Sequence, residues 1–129
     1  MRDRGITLGI GTDGCLSSDN QNVFEAMRIA ARISRVQGSD PRQWLSALEA
    51  FEAATKGGAR ALGMGTSIGQ LALGFKADVV FLDLTSINYV PLNEPLLHVV
   101  FVETALASIA SWSAAGCWSK AVGFWESTW

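Results

Sequence analysis

The hydrophobic pattern begins with a short apolar stretch that ends at one acidic residue. Apolar and small residues alternate from Gly5 to Ile10, which is the pattern of a short buried strand. Asp13 follows this stretch, between a threonine and a glycine, and a polar loop then extends over residues 15–21. Because Thr-Asp-Gly is common in turns, the local pattern alone favours a turn role for Asp13.

Helical spacing of apolar residues follows the loop. A helix is predicted from Asn22 to about Val36, with Asn22 as its N-cap and Glu25 at the capping-box position. A second helix is predicted to begin at Asp40, which would cap it, with a proline in the first helical position. The Lys-Gly-Gly sequence at 56–58 predicts an interruption, followed by a further short helix.

The second half of the chain changes to turns and β-type sequence. Residues 63–76 are rich in glycine and predict turns, and Ala77 to Leu84 is a β-branched, apolar stretch that predicts a strand. Residues 87–97 contain two prolines and are expected to be extended before they turn. The stretch from Leu96 to Val102 fits a short helix or a strand. This order indicates the end of an α/β domain followed by a β region.

Composition and charge exclude several classes of protein but do not indicate a function. The 129 residues carry a formal net charge of -2 and are 49% hydrophobic, which suits one ordinary domain and gives no basic footprint for nucleic acid or an acidic membrane. The start of the chain has no secretory pattern and no stretch spans a membrane, so we expect a cytoplasmic protein. Cys15 and Cys117 allow one disulfide, but two free thiols are the favoured interpretation.

Four segments, in this order, resemble the C-terminal part of the amidohydrolase superfamily: GIGTDGCLSSDNQNVFEAMRIAA, ATKGGARALGM, IGQLALGFKADVVFLDL and NYVPLNEPLLHVVFVE. They are similar to the branch of cytosine-deaminase-like, chlorohydrolase-like and 5-methylthioadenosine/S-adenosylhomocysteine-deaminase-like enzymes. The resemblance implies an α/β fold, namely the C-terminal piece of the (β/α)8 barrel of a metal-dependent hydrolase with part of its flanking β-sandwich. Residues 1–64 would hold the last barrel strand and its helices, and residues 65–111 part of the sandwich.

Asp13 occupies the place of the acid that follows the eighth barrel strand in this superfamily, where the resemblance implies a metal ligand and proton shuttle. Barrel sites form at the carboxyl ends of the strands, so a carboxylate directly after an apolar strand faces the pocket mouth. The implied reaction is hydrolytic deamination of an aminated purine, pyrimidine or triazine-like ring by a metal-bound hydroxide, with Asp13 as catalytic and metal-binding residue. Zinc is the implied metal, with iron as the alternative.

The other polar residues near Asp13 have weaker interpretations. Four loop residues can line the same pocket mouth, although loop solvation is the favoured interpretation for each of them: Ser17, Ser18, Asp19 and Asn20. His98 is the only histidine in the sequence, and its apolar setting favours a packed or rim residue over a metal ligand. No base stands beside Cys15 to activate it, so we expect it to be a packing residue.

One carboxylate cannot hold a catalytic metal, because such sites use about three protein ligands. The His-x-His and further histidines of the superfamily are absent from this sequence. We therefore expect a C-terminal fragment that is inactive and binds no metal by itself. Because a lone barrel strand leaves its backbone groups unpaired, we also expect partial order or self-association into a homo-oligomer. A chlorohydrolase of the same superfamily and a non-catalytic assembly module stay open as alternatives.

The end of the chain departs from the superfamily pattern. Four of the five tryptophans are concentrated here: Trp112, Trp118, Trp125 and Trp129. If the codons for residues 112–125 are read in the frame that starts two bases into each codon, they can encode VGGRVLVEGGRVL. This alternative peptide resembles the strand pair that closes the superfamily's chains. We therefore expect residues 112–129 to be an out-of-frame tail, with a tryptophan-rich surface for a binding partner as the alternative.

Overall fold

The protein has an α/β fold in which short helices precede and flank a small sheet. The computed structural model describes residues 4–18, 20–105, 108–112 and 118–119. Most of the expected out-of-frame tail lies outside these residues, as do Cys117 and Asp19. The elements are α1 (Cys15–Ser18), α2 (Val23–Ser34), a 3-10 turn (Pro41–Gln43), α3 (Ala47–Glu52), a π-helical turn (Ala53–Gly57), α4 (Gly58–Ala61), β1 (Val79–Leu82), a second 3-10 turn (Ile87–Tyr89), α5 (Pro95–Phe101), β2 (Ser108–Trp112) and β3 (Trp118–Ser119).

The core lies where α2, α3 and α5 meet. Its buried side chains come from all three helices: Met27, Ala31, Ala47, Ala50 and Val100. Three of these five are alanines, so the helix backbones approach one another closely around a few larger side chains. The core members from α2, Met27 and Ala31, follow the helical spacing of apolar residues that the sequence predicts for this helix.

Asn22 is the N-cap of α2, as predicted. Its side-chain oxygen accepts from the backbone N–H groups of Phe24 at 3.0 Å and Glu25 at 3.4 Å. The predicted capping box at Glu25 is wrong, because the Glu25 carboxylate accepts from the Asn20 side-chain amide. The Asn20 oxygen in turn accepts from the Asn22 N–H at 2.9 Å, so Asn20 takes the acceptor role that the Glu25 carboxylate would have in a capping box.

The second helix begins later than predicted. Asp40 caps only the turn Pro41–Gln43, where its carboxylate accepts from the Arg42 N–H at 3.0 Å. The chain is extended at Trp44, and α3 starts behind Ser46 with a complete capping box. There, the Ser46 N–H donates to Glu49 at 2.9 Å and the Glu49 N–H donates to the Ser46 hydroxyl at 3.3 Å. The Ser-x-x-Glu signal is present in the sequence, but the stronger Asp-Pro signal precedes it.

The predicted interruption at residues 56–58 is also wrong. The helical path continues from α3 through the π-helical turn into α4. The two glycines serve close approach instead, because a Cβ at Gly57 would overlap the carbonyl oxygen of Leu8 and a Cβ at Gly9 would lie 3.1 Å from the Cα of Gly58. At Leu8 and Gly9, the backbone of the extended segment 6–14 therefore packs directly against the backbone at Gly57 and Gly58.

The strand predicted over Gly5 to Ile10 does not form. Residues 6–14 have no helix or strand assignment, and most of them are exposed. A strand needs a hydrogen-bonded neighbour on at least one side, and within the described part of the chain no strand lies beside this segment. Its link to the helices is the bond from the Ile10 N–H to the Ala53 carbonyl, at 3.0 Å.

The strand predicted over Ala77 to Leu84 is confirmed in its centre as β1. In the described residues, β1, β2 and β3 form an antiparallel sheet in that order, with Val79 opposite Trp112 and a register shift between Phe81 and Leu82. The stretch from Leu96 to Val102, which fits either a helix or a strand by sequence, lies between β1 and β2 and forms the helix α5, with Pro95 in its first turn. No helix within the described ranges has the length and apolar character to cross a membrane.

Candidate functional site

Asp13 lies at the end of the extended segment, two residues before α1. Its backbone has a φ of +59°, a left-handed conformation that is rare outside glycine and best tolerated by Asn and Asp. The residue is exposed, and its carboxylate makes no hydrogen bond or ion pair with any residue that the structure describes. The Asp13 carbonyl accepts from the Thr12 hydroxyl at 3.3 Å. The carboxylate is thus presented to solvent from a constrained backbone.

The loop behind Asp13 contains the other residues considered from the sequence. Ser17 is exposed, and its N–H donates to the Gly14 carbonyl at 2.9 Å, which closes the single turn of α1. Cys15 is exposed and free, so the predicted packing role is wrong. Asn20 serves the cap of α2 and has no described contact with Asp13. These residues surround the acid in sequence, but their described bonds are local.

A buried carboxylate forms a second polar centre that sequence reasoning missed. Glu103 is 1% exposed, and both of its oxygens accept hydrogen bonds. The donors are the Tyr89 hydroxyl at 2.5 Å and the Thr104 N–H at 2.9 Å. The Thr104 carbonyl in turn accepts from the Asn22 side-chain amide at 3.1 Å. A glutamate directly after an apolar helix, in VVFVET, is the sequence signal that indicates this centre.

His98 is half-buried and contacts this buried centre, as the interpretation of a packed or rim residue predicts. Its ring stacks on Tyr89 with centroids 5.7 Å apart, and its Nδ1 lies 2.9 Å from the Glu94 carbonyl. Burial raises the pKa of Tyr89 above its ordinary value, and the adjacent Glu103 carboxylate raises that pKa further. The phenol therefore stays protonated and donates to Glu103 throughout the neutral range.

A shallow cleft of about 300 Å³ lies elsewhere, between the start of the extended segment and the helices. Glu52 and Lys56 on its wall form an ion pair at 3.6 Å, and Glu49 is committed to the α3 capping box. Asp13 is not among the residues that line the cleft. Since Asp13 does not line the cleft, and Glu49, Glu52 and Lys56 are used in local contacts, the cleft does not extend the Asp13 site.

The donors in the part of the chain that the structure describes do not make a complete metal site. Among the described residues, no group of three or more His, Cys, Asp or Glu side chains could hold a metal ion. Asp13 offers one exposed carboxylate, whereas His98 and Glu103 are engaged in the buried centre. A protein metal site needs about three ligands, so further donors would have to come from outside the described residues.

Comparison with known proteins places this arrangement in a family. The profile of the Amidohydrolase family matches residues 1–118. The chain belongs to the amidohydrolase family. The chain is 40% identical over 101 residues to the 5-methylthioadenosine/S-adenosylhomocysteine deaminase of Acetivibrio thermocellus, a match that covers 78% of this chain and 23% of that protein. This amidohydrolase chain thus spans about a quarter of the length of the curated relative that it matches.

Solved amidohydrolase-like structures superpose on most of the chain. A zinc-bound adenosine deaminase from Xanthomonas campestris matches with a TM-score of 0.83 and 34% identity, covering 89% of this chain and 26% of that one. The atrazine chlorohydrolase TrzN from Arthrobacter aurescens TC1, complexed with zinc, matches with a TM-score of 0.81 and 30% identity, covering 89% and 25%. The packing of short helices on the extended segment is therefore shared with larger zinc-containing proteins.

Proposed function

We propose that this chain forms the C-terminal part of a metal-dependent amidohydrolase that deaminates an aminated heterocycle. In this proposal, residues 1–64 supply the last strand and final helices of a (β/α)8 barrel, and residues 65–111 supply part of a flanking β-sandwich. Zinc is the proposed metal, because the adenosine deaminase and chlorohydrolase that superpose on the chain are both zinc-bound. The two named deaminases are a 5-methylthioadenosine/S-adenosylhomocysteine deaminase and an adenosine deaminase, so a purine nucleoside is the substrate class that we favour.

The observation that carries this proposal is the placement of Asp13. Its carboxylate is exposed and has no described partner, at the end of an extended segment that belongs by sequence to the amidohydrolase family. A carboxylate with a structural role would be expected to cap a helix or to pair with a cation, as Asp40 does with Arg42. Asp13 does neither among the described residues, so its side chain is available to a ligand.

Asp13 would contribute one oxygen donor and one proton-accepting group. A bound zinc supplies a polarised water to such a site. The Asp13 carboxylate can accept a proton from a nearby water molecule and release it to a departing amine, which is general base and then general acid catalysis. Asp13 adopts a left-handed backbone conformation, which aspartate tolerates better than most other residues. The remaining donors are proposed to come from residues outside this chain.

The proposal is tested by restoring the rest of the fold. The segment of the A. thermocellus deaminase that aligns with this chain is replaced by residues 1–112, and the graft is assayed for bound zinc and for ammonia release from 5-methylthioadenosine. Asp13→Asn keeps the size of the side chain and removes its charge. We expect this variant to lose at least about a hundredfold in kcat/KM, the lower range for a lost general acid–base group.

Asp40→Asn is the matched control, since Asp40 is also an acidic residue near the surface but is held by Arg42. We expect the control graft to stay within about twofold of the unmodified graft, because surface ion pairs contribute little. Full activity of the Asp13→Asn graft would contradict the proposed role, and a graft that folds without zinc would contradict the proposed fit. The isolated chain is expected to show no stoichiometric zinc binding in calorimetry.

Dechlorination is a second candidate, favoured by the 30% identity and TM-score of 0.81 to atrazine chlorohydrolase TrzN. Both reactions displace a leaving group from an electron-poor ring carbon, so one carboxylate can serve either. The same replacement made in TrzN separates them. Ammonia release by the deaminase graft alone supports deamination, whereas chloride release from atrazine by the TrzN graft alone favours dechlorination.

A further inference from the structure

The loop that carries Asp13 is fixed at both of its ends. Before Asp13, the Ile10 N–H donates to the Ala53 carbonyl of the π-helical turn at 3.0 Å. After it, Asn22 ends the loop and begins α2. Between these two points the described hydrogen bonds include one within the loop, from the Ser17 N–H to the Gly14 carbonyl, and one to the first turn of α2, from the Asn20 side-chain amide to the Glu25 carboxylate. The position of Asp13 therefore depends on the two anchors.

Asn22 performs two separable tasks at the second anchor. Its side-chain oxygen accepts from the N–H groups of Phe24 and Glu25, which caps α2. Its side-chain nitrogen donates to the carbonyl of Thr104 at 3.1 Å, which ties the loop to the segment directly after α5. Aspartate caps helices about as well as asparagine, but its ionised carboxylate has no N–H or O–H to donate to the Thr104 carbonyl. The cap alone therefore does not explain the choice of asparagine.

The Thr104 carbonyl is itself held in place by the buried Glu103. One Glu103 oxygen accepts from the Thr104 N–H at 2.9 Å and the other accepts from the Tyr89 hydroxyl at 2.5 Å. The Glu103 N–H donates to the His98 carbonyl at 2.9 Å at the end of α5. Glu103 is 1% exposed, so these bonds are shielded from competing water. The acceptor that Asn22 meets is therefore fixed to the core.

We infer that Asn22 and Glu103 are positioning residues for Asp13, which they hold in place through the bonds from the Asn22 amide to the Thr104 carbonyl and from the Thr104 N–H to the Glu103 carboxylate. This inference rests on the proposed function of Asp13 for its catalytic consequence, but the restraint of the loop is a property of this chain. Loss of the Asn22 donor releases the C-terminal end of the loop while α2 stays capped. The opening equilibrium of the loop is expected to rise about fivefold, which corresponds to about 1 kcal/mol for one lost hydrogen bond.

The test uses the exposed thiol of Cys15, two residues after Asp13, as a reporter of loop motion. A nitroxide label is attached at Cys15 in the full chain carrying Cys117→Ser, and its spectrum resolves mobile and immobile fractions. Asn22→Asp keeps the cap and removes the donor, and Asn22→Ser keeps the cap but shortens the side chain, so that its hydroxyl lies farther from the Thr104 carbonyl. Both variants are expected to raise the mobile-to-immobile ratio about fivefold, the change that one lost hydrogen bond predicts.

Ser46→Ala is the matched control, because it removes the N-cap of α3, which makes no described bond to the loop. It lowers overall stability by a similar amount but should leave the label spectrum unchanged. Glu103→Gln, which keeps an acceptor for the Thr104 N–H, is expected to raise the ratio less than Asn22→Ser does. An unchanged spectrum in both Asn22 variants, or an equal change in Ser46→Ala, would overturn the inference.

The graft links the restraint to catalysis. In it, Asn22→Ser is expected to lower kcat about fivefold with KM unchanged, whereas Ser46→Ala leaves both constants unchanged. If Asp13→Asn abolishes activity but Asn22→Ser has no effect on kcat, the positioning inference fails and the proposed function stands. If Asp13→Asn has no effect while the Cys15 label still responds to Asn22→Ser, the proposed function fails and only the structural restraint stands.

Discussion

Replacing Tyr89 by phenylalanine isolates the buried hydrogen bond to Glu103. The substitution removes one hydroxyl and keeps the ring that stacks on His98 with centroids 5.7 Å apart. Because the ring volume is retained, no large cavity is created and the stability change reports the lost bond. Tyr89 and Glu103 are each 1% exposed, so water cannot readily replace the missing donor.

The expected loss follows from the charge and burial of the acceptor. A hydrogen bond to a buried charged group contributes about 1.5–3 kcal/mol, since its removal leaves a carboxylate oxygen without a donor. Glu103 keeps the Thr104 N–H at 2.9 Å, so one of its oxygens stays satisfied and the loss remains within that range. For a chain of this size, about 1 kcal/mol shifts the melting temperature by about 4 °C, so Tyr89→Phe should lower it by about 6–12 °C.

Urea denaturation at neutral pH, followed by circular dichroism, measures the loss. The matched control is Thr85→Val, which removes a hydroxyl that donates to the Asp83 carboxylate at 2.7 Å. That bond is of the same chemical kind but is exposed, so the control should change the unfolding free energy by less than about 0.5 kcal/mol. Equal losses in the two variants would refute the argument that burial gives the Tyr89 bond its strength.

Three further predictions follow from individual contacts. Because burial raises the pKa of Tyr89, the phenol of the unfolded chain loses its proton at a lower pH than the phenol of the folded chain. The contribution of the protonated phenol to the free energy of unfolding is therefore complete below the ordinary pKa of 10.0 and is lost as the pH rises above that value. Urea midpoints at about pH 9 and about pH 11 should therefore differ less in Tyr89→Phe than in the parent chain. Gly57→Ala should destabilise by about 1–3 kcal/mol in urea, because the new Cβ overlaps the Leu8 carbonyl, whereas Gly38→Ala, whose Cβ would lie 3.5 Å from Gln43, should be tolerated. Ser46→Ala should lower the melting temperature by about 4 °C through loss of the α3 cap, and an unchanged value would argue against the capping box.

Local sequence signals were reliable where the relevant interaction is itself local. Asn22 could be identified as an N-cap because the bonds to Phe24 and Glu25 span two and three residues. The strand β1 followed from its β-branched, apolar composition. The start of α3 was missed because two cap signals compete within a few residues, and the tertiary contact of Trp44, whose indole N–H donates to the Gly38 carbonyl at 2.8 Å, keeps the chain extended between them.

The candidate site also has one part that the sequence could predict and one part that it could not. Asp13 could be singled out because an acid after an apolar stretch, within four ordered segments, carries the resemblance to the amidohydrolase superfamily. The buried centre at Glu103 could not, because residues separated by 14 and 82 positions meet there through Tyr89 and Asn22. No periodicity in the sequence encodes such distant pairings.

The sequence by itself determined the family and the helical and β-type halves of the chain, and it singled out the acid for which we propose a chemical role. Only the tertiary structure decided whether the segment before Asp13 becomes a strand, since a strand depends on hydrogen bonds to a neighbour and the described chain offers the Ala53 carbonyl instead. It also decided that Gly57 is a contact rather than a helix break, and that Glu103 is a buried acceptor. Each of these outcomes depends on which distant backbone or side-chain group lies within bonding distance, and that is a property of the folded chain.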